Sequence, residues 1–392
     1  MNAIPHASHW GAFVAETRDG RISDIRPFAD DPDPSPIIYG TGEAVHGRLR
    51  IDRPYVRAGW LAGDRAGGTI RGRDRFVPLD WDQATRLVAD EVARVRDTLG
   101  PASIFGGSYG WSSAGRFHHA KTQMQRFLAA AGGFTGSFGS YSYACAQALL
   151  PHIVGDTECL VAPIVDWRAI LRHAKLLVCV GGIPLRNGQI INGGGGQHDM
   201  GPWLRAARDN GVRIVNISPL RGDMPADVDA EWIPILPGTD TAMLLAIAHT
   251  LFVEGRTDAD FLDRCAIGVA DFRAYVMGEA DGVPKTPAWA AAECDVPADT
   301  IVRLAREMAA KPTFLAGAWS IQRSERGEQP YWTIVALAAM LGTIGRPGLG
   351  FGFGHGSSGG MGSPRMRLPS VGMTALANRT GSFIPVARIA DM

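Results

Sequence analysis

Several stretches of this sequence set small, hydroxyl-bearing and aromatic side chains together in ways that suit ligand chemistry. In Tyr109-Gly110-Trp111-Ser112-Ser113 a phenol and an indole N–H flank a glycine, two hydrogen-bond donors able to line a pocket. The plainer alternative is a half-buried aromatic anchor. Gly139-Ser140-Tyr141-Ser142-Tyr143-Ala144-Cys145 places hydroxyls at an expected helix start. Ser142 there is either an N-cap, the commonest duty of such a hydroxyl, or a hard oxygen ligand for a high-valent metal. Gly317-Ala318-Trp319-Ser320-Ile321-Gln322-Arg323 offers an indole that can stack on a heterocycle and a guanidinium that can grip phosphate. A structural Trp and a surface Arg remain the alternative.

Three further segments close expected strands with small or polar residues. They are Gly181-Gly182-Ile183-Pro184, Ile217-Ser218-Pro219 and Pro237-Gly238-Thr239-Asp240. Glycine lets backbone approach closely, and helix N-termini present free N–H groups to phosphate. Asp240 either caps its helix or accepts hydrogen bonds from a purine or ribose. Each loop alone reads equally well as turn chemistry; three in succession favour a nucleotide-like ligand. A nicotinamide-dependent dehydrogenase is the competing reading, and the absence of G-x-G-x-x-G opening the first helix argues against it.

The elements that must hold these loops are readable from pattern. Asp19-Gly20 between Trp10–Ala15 and Arg21–Ile25 predicts a hairpin. Asp80 with Gln83 predicts a capped helix whose stripe is Leu87, Val88, Val92, Val95 and Leu99, stopped at Gly100-Pro101. Ser103–Phe105 reads as a short strand. Continuous apolar runs at Lys175–Val180, Val212–Ile217 and Thr313–Ala318 alternate with helices at Pro202–Asn210, from Asp240 to Val253, and Asp295–Met308. That alternation predicts parallel pairing covered on both faces, with ligands at the carboxyl ends of the strands.

Composition narrows the function classes. The 392 residues carry 39 basic and 39 acidic side chains, so no net field favours nucleic acid or an anionic membrane. No apolar run reaches the ~18 residues of a membrane span, and the start of the chain lacks the basic and apolar regions of an export signal. Cys145, Cys159, Cys179, Cys265 and Cys294 include no C-x-x-C pair, which excludes a zinc ribbon, a cluster motif and a disulfide scaffold. They read as reduced thiols packed as small hydrophobes. The 49 glycines exceed the usual ~7% without a collagen period. The glycine-rich stretch 345–362 is expected to move freely unless it wraps a ligand or another domain.

Taken in order, Ser108-Tyr109-Gly110-Trp111, Gly139-Ser140-Tyr141-Ser142 and Pro151-His152-Ile153-Val154-Gly155 resemble the dimethyl-sulfoxide-reductase family of molybdenum enzymes. So do Pro237–Asp240, Thr286–Ala291, Ala318–Arg323 with Gly327-Glu328-Gln329, and Ile344–Gly352. The resemblance is closest to the serine-ligated branch of biotin sulfoxide, trimethylamine N-oxide and dimethyl sulfoxide reductases. It implies a bis(molybdopterin guanine dinucleotide) cofactor, with molybdenum cycling between Mo(VI) and Mo(IV) as one oxygen atom moves. By position it implies Ser142 as metal ligand and Tyr109 and Trp111 as catalytic side chains at the reacting oxygen. It implies cofactor contacts at Tyr109, Gly110, Trp111, Ser112, Ser113, Arg186, Asn187, Ile217, Ser218, Gly238, Thr239, Asp240, Trp319, Ser320 and Arg323. The sequence departs from the family pattern at Ser140, Ile183 and Ser218, where carboxylates, or at 183 also an asparagine, are usual.

The fold implied is α/β, a molybdopterin-oxidoreductase-type multidomain fold with Rossmann-like parallel sheets, lacking the C-terminal β-barrel-like domain. The expected division is an N-terminal β-rich region 1–75, a discontinuous α/β domain 76–154 and 314–392, and a Rossmann-like nucleotide-binding domain 155–313. The expected activity is reduction of a small S-oxide or N-oxide, with an external electron donor and no nucleic-acid partner. A cytoplasmic location is expected, or a periplasmic one should an export signal precede the chain. Family members are longer than this chain, which ends in Ile389-Ala390-Asp391-Met392 where a helix would begin. The expectation is therefore a fragment, a disrupted gene product, or one half of a split enzyme completed by a second polypeptide; a catalytically inactive, cofactor-binding remnant is the non-enzyme alternative.

Overall fold

The computed structural model describes residues 2–64, 72–108, 119–161, 165–364, 373–374 and 376–391. β1 (Asn2–Ser8), β2 (Gly11–Arg18) and β3 (Arg21–Pro27) form an antiparallel meander. Asp19 and Gly20 have φ of 49° and 75°, as a two-residue primed turn requires. β1, not anticipated from pattern, lies at the sheet edge, where Pro5 costs no ladder bond. The meander packs Phe13, Ala15 and Ile25 on Ile38. Its seam with the rest of the molecule is polar: the buried Asp31 carboxylate accepts from His198 Nδ1 at 2.6 Å and from the His198 backbone N–H at 2.9 Å.

β4 (Tyr55–Arg57) and β5 (Phe76–Pro78) make a short antiparallel pair ahead of the helix Trp81–Leu99. The capping box is present in both directions, Gln83 N–H to Asp80 Oδ1 at 2.7 Å and Asp80 N–H to Gln83 Oε1 at 3.2 Å. This helix nevertheless buries none of its residues. The segment read as a strand at Ser103–Phe105 begins instead as a 3-10 turn, Pro101–Ser103, followed by one parallel bridge from Phe105 to Thr135. Pro101 presets the helical φ of that turn.

The centre is a five-stranded parallel sheet of β7 (Leu176–Val180), β8 (Arg213–Ile217), β9 (Glu231–Ile233), β10 (Thr313–Gly317) and β11 (Gly350–Phe353), ordered β11-β10-β7-β8-β9. Every residue of β7 is buried. Its side chains alternate between two cores: Leu176, Val178 and Val180 join the cluster around Asp240–Val253 and Glu328–Met340, while Leu177 and Cys179 face Trp167, Ile170 and Leu204. The expected domain boundary between 313 and 314 falls inside β10, because parallel pairing to β7 makes residues on both sides of it one sheet. The glycine-rich stretch after 345 is likewise anchored, through β11 and through Asn187 Nδ2 donating to the Gly356 carbonyl at 3.0 Å. A further parallel pair joins β6 (Gly136–Phe138) to β12 (Phe383–Pro385). No described helix is long and apolar enough to cross a membrane.

Candidate cofactor-binding site

The strand order places β8 and β9 on one side of β7 and β10 on the other, so the chain reverses direction at the β7–β10 seam. The carboxyl ends of strands at such a reversal are where open α/β sheets bind ligands. Gly181 follows β7 there with φ 87°, and a β-carbon on it would lie 2.7 Å from Ile321 Cγ2, 2.8 Å from Ala318 Cβ and 3.5 Å from Ser320 Oγ. Gly182, with φ 74°, sits equally close to Asp223, at 2.6 Å from its Cβ. The room expected beside these two glycines is thus taken by the chain's own residues. Gly238 (φ 80°) is different: among the described residues only Ser324 stands within 4 Å of a β-carbon placed there.

A polar cluster occupies the ends of β7 and β8. Ser218 is fully buried and its hydroxyl donates to Asp223 Oδ2; the other carboxylate oxygen of Asp223 accepts from Arg186, whose side chain is largely exposed. Asp223 thus brings a carboxylate to the strand end where Ser218 stands in place of one. Beside them lies Asn216, 1% exposed, with neither amide atom hydrogen-bonded among the described residues. An orphaned buried amide costs about 1–3 kcal/mol, so this site is built to receive a polar partner. At the next strand end Thr239 Oγ1 donates to the Leu236 carbonyl at 2.7 Å, and Asp240 begins its helix buried. Burial pushes the Asp240 carboxyl up to about 6, against a backbone hydrogen bond that lowers it. A carboxyl strained in that way gains from a donor such as a guanine edge.

The fourth strand end holds the Ser142 turn. The helix Ala144–Val154 starts after Tyr143 without any side chain of its own first turn as cap. Its N-terminal N–H groups are all accounted for. Ala144 donates to the Ser140 carbonyl at 3.0 Å and Gln147 to the Tyr143 carbonyl at 3.0 Å. Cys145 and Ala146 donate to Gln322 Oε1 at 2.8 and 3.3 Å. The Ser142 hydroxyl is therefore not the helix cap, and among the described residues it has no hydrogen-bond partner. Cys145, nearby and exposed, is no competing thiolate: burial and Glu328 both push its thiol upward. Among the described residues no three His, Cys, Asp or Glu side chains converge as a metal site.

Molybdopterin oxidoreductase is the family whose sequence pattern matches residues 50–384, and that family's N-terminal domain matches residues 6–46. The chain belongs to the molybdopterin oxidoreductase family. It is 44% identical to the biotin sulfoxide reductase of Cereibacter sphaeroides, over 94% of this chain and 50% of that protein. It is 39% identical to the dimethyl sulfoxide/trimethylamine N-oxide reductase of Rhodobacter capsulatus, over 99% and 48%. The trimethylamine-N-oxide reductase of Haemophilus influenzae is 37% identical, over 100% and 49%. The chain thus spans about half the length of the curated relatives it matches. Among solved structures, acetylene hydratase from Pelobacter acetylenicus aligns at TM-score 0.55 and 17% identity, over 86% of this chain and 43% of that one, which shows the α/β fold.

Membership in the molybdopterin oxidoreductase family implies a molybdenum–pterin cofactor. The strand-end chemistry fits such a group: an unsatisfied amide at Asn216, a guanidinium at Arg186 with an exposed face, and an open helix start at Gly238. Ser320 and Arg323 are exposed beside the same seam, while the Arg323 Nε donates to the Tyr141 carbonyl at 3.1 Å. Ile217 is a buried strand residue whose carbonyl accepts from Gly181 N–H at 2.9 Å. Asn187 serves the glycine-rich stretch, as above. Trp319 is buried as an anchor, packed on Tyr143 at 4.7 Å between ring centroids, with its indole N–H given to the Leu160 carbonyl. Tyr109, Gly110, Trp111, Ser112 and Ser113 lie outside the described residues.

Three residues here escaped the sequence reading: Asn216, Asp223 and Gln322. Asn216 had one usable signal, a lone amide inside an apolar strand. Asp223 and Gln322 act through partners that no local pattern reveals.

Proposed function

We propose that this chain is the cofactor-binding half of a molybdenum-dependent reductase of small S-oxides or N-oxides, of the biotin sulfoxide, methionine sulfoxide, dimethyl sulfoxide or trimethylamine N-oxide class. The cofactor is read as the bis(molybdopterin guanine dinucleotide) form. The observation that carries the reading is the spare hydroxyl of Ser142: the first-turn N–H groups of the helix it precedes, at 144 to 147, are satisfied without it. A serine freed from capping and set beside the switch of a parallel sheet is available as an oxygen ligand. Family membership supplies the metal.

When bound, the molybdenum–pterin group supplies the metal and the two electrons that take one oxygen atom from the substrate. The chain's own residues do the rest. By the family pattern Ser142 Oγ would be the protein ligand, Tyr109 would give its phenolic hydrogen bond to the substrate oxygen, and Trp111 would be the second side chain at that oxygen. Arg186 and the helix start at Gly238 hold phosphate; Asn216 and Asp240 meet a purine edge. Ser320 and Arg323 border the same edge. Two electrons and two protons arrive from outside, and the oxygen leaves as water. These 392 residues carry no cysteine-cluster motif for a relay, and an external donor is part of the proposal. A cytoplasmic location is proposed with it, on the five free cysteines.

The chain spans about half of its relatives, so the test is run with and without the remainder supplied as a separate polypeptide. The experiment is expression in a host that makes the cofactor, followed by molybdenum, pterin and guanine analysis. Oxidation of a reduced dye by each oxide is then followed, for the chain alone and with a polypeptide matching the remainder of its relatives. Cofactor in both samples, with turnover rising at least tenfold on completion, is expected. A nicotinamide in the extract, or no molybdenum in either sample, overturns the reading.

A further inference from the structure

We propose that Gln322 is the positioning residue for Ser142, an assignment that rests on Ser142 being the metal ligand. Gln322 is 4% exposed and reaches the Ser142 turn from a segment 177 residues distant. Its Nε2 donates to the Tyr141 carbonyl at 3.1 Å, on the peptide entering Ser142. Its Oε1 accepts from Cys145 and Ala146, on the first turn leaving it. One amide therefore grips the backbone on both sides of the proposed ligand. That job needs a donor and an acceptor at the end of one long side chain, which the Gln amide supplies without a charge. Asn is a methylene shorter.

The grip is only as firm as its anchor, and the anchor is rigid. Gln322 ends the 3-10 turn Trp319–Gln322 directly beyond β10. Trp319 N–H donates to Ser357 Oγ at 2.8 Å, and the buried Tyr331 hydroxyl donates to the Ala318 carbonyl at 3.1 Å. Gly327 closes over Gln322 so tightly that a β-carbon there would lie 1.9 Å from the Gln322 carbonyl oxygen. Arg323 adds a second donor to the Tyr141 carbonyl, from the exposed side. Thus the central sheet fixes where the Ser142 hydroxyl stands, through a side chain that need touch neither metal nor substrate.

The test has two arms. In the cofactor-free 392-residue chain, amide hydrogen exchange is measured for wild type and Gln322→Met, which keeps the length and removes the hydrogen bonds. Exchange at Cys145 and Ala146 is expected to rise about tenfold, the worth of one such bond, with the amides of Asp240–Val253 unchanged. Unchanged exchange at 145 and 146 overturns the proposal, as does uniform acceleration everywhere. Gln322→Glu guards against a folding failure of the Met variant. A carboxylate keeps the acceptor for the Cys145 and Ala146 N–H groups while losing the donor to the Tyr141 carbonyl. Protection at 145 and 146 is therefore expected to persist in Gln322→Glu; its loss there, with the amides of Asp240–Val253 still protected, counts against the assignment.

In the cofactor-loaded chain, molybdenum X-ray absorption reads the oxygen ligand directly. Ser142→Cys should replace one oxygen by sulfur, and Gln322→Met should lose or lengthen that oxygen in the wild-type shell. A Met variant identical to wild type overturns the positioning role. If Ser142→Cys leaves the shell unchanged, it is the ligand reading that fails, while the exchange arm still decides whether Gln322 holds the turn.

Discussion

The helix Trp81–Leu99 and the helix Asp240–Val253 show how differently one chain uses apolar residues. The first has a clear stripe and a complete capping box, yet buries no residue, with Leu99 66% and Val88 55% exposed. The second has no polar face and buries ten of its fourteen positions against the central sheet. Periodicity gave the first its helix and said nothing about its cover; burial came only where strands stood behind. The first region is thus held by local terms worth tenths of a kcal/mol to about 1 kcal/mol each. The second is held by area removed from water.

The contrast can be broken by substitution. Ile247→Ala, in the second helix at 0% exposed, should cost about 2–5 kcal/mol in chemical denaturation. A loss under about 1 kcal/mol would mean the sheet core is looser than its burial indicates.

Acid sharpens the same comparison, because the buried groups of the core titrate against folding. Burial depresses His355 to about 4 from its usual 6.5, with its Nε2 given to the Val165 carbonyl and Nδ1 without a partner among the described residues. The unfolded chain takes up this proton first, so stability is full above pH 6.5 and falls by roughly 3 kcal/mol as pH drops toward 4. His355→Phe should flatten that limb in urea midpoints read across the pH range; an unchanged slope rejects it. Asp240 works in the opposite direction. Its folded carboxyl stays protonated to about 6 against 3.8 unfolded, so its contribution is present below 3.8 and lost as pH rises through 6. Asp240→Asn should therefore gain on wild type by up to roughly 2–3 kcal/mol between pH 4 and pH 8. Parallel pH curves for the two proteins would show the carboxyl to be solvated.

The smallest effect belongs to the first region. Leu99→Ala should change stability by no more than about 0.5 kcal/mol, as an exposed position does. A core-sized loss there would show that the exposed stripe is covered in solution.

These two regions also mark what sequence can say. The hairpin at Asp19-Gly20, the cap at Asp80 and the strands β7 and β8 were legible because each is written in neighbouring residues. The strand ends that make up the candidate site were legible for the same reason. Its joinery was not. Gln322 reaches Cys145 across 177 residues, and Asp31 meets His198 across 167. Whether Gly181 makes room for a ligand or for Ile321 depends on the pairing of β7 with β10, which no local spacing encodes. The same holds for Trp319, whose indole satisfies a distant carbonyl.

The pairing of β6 with β12 carries a consequence for biosynthesis. Phe138 meets Pro385, and the Tyr141 hydroxyl donates to the Val386 carbonyl, so the bench on which Ser142 sits needs residues from the far end of the chain. A nascent chain leaving the ribosome can finish its central sheet once residue 353 has emerged, but not the serine turn. The serine turn is thereby completed later in synthesis than the central sheet, once residue 386 has emerged.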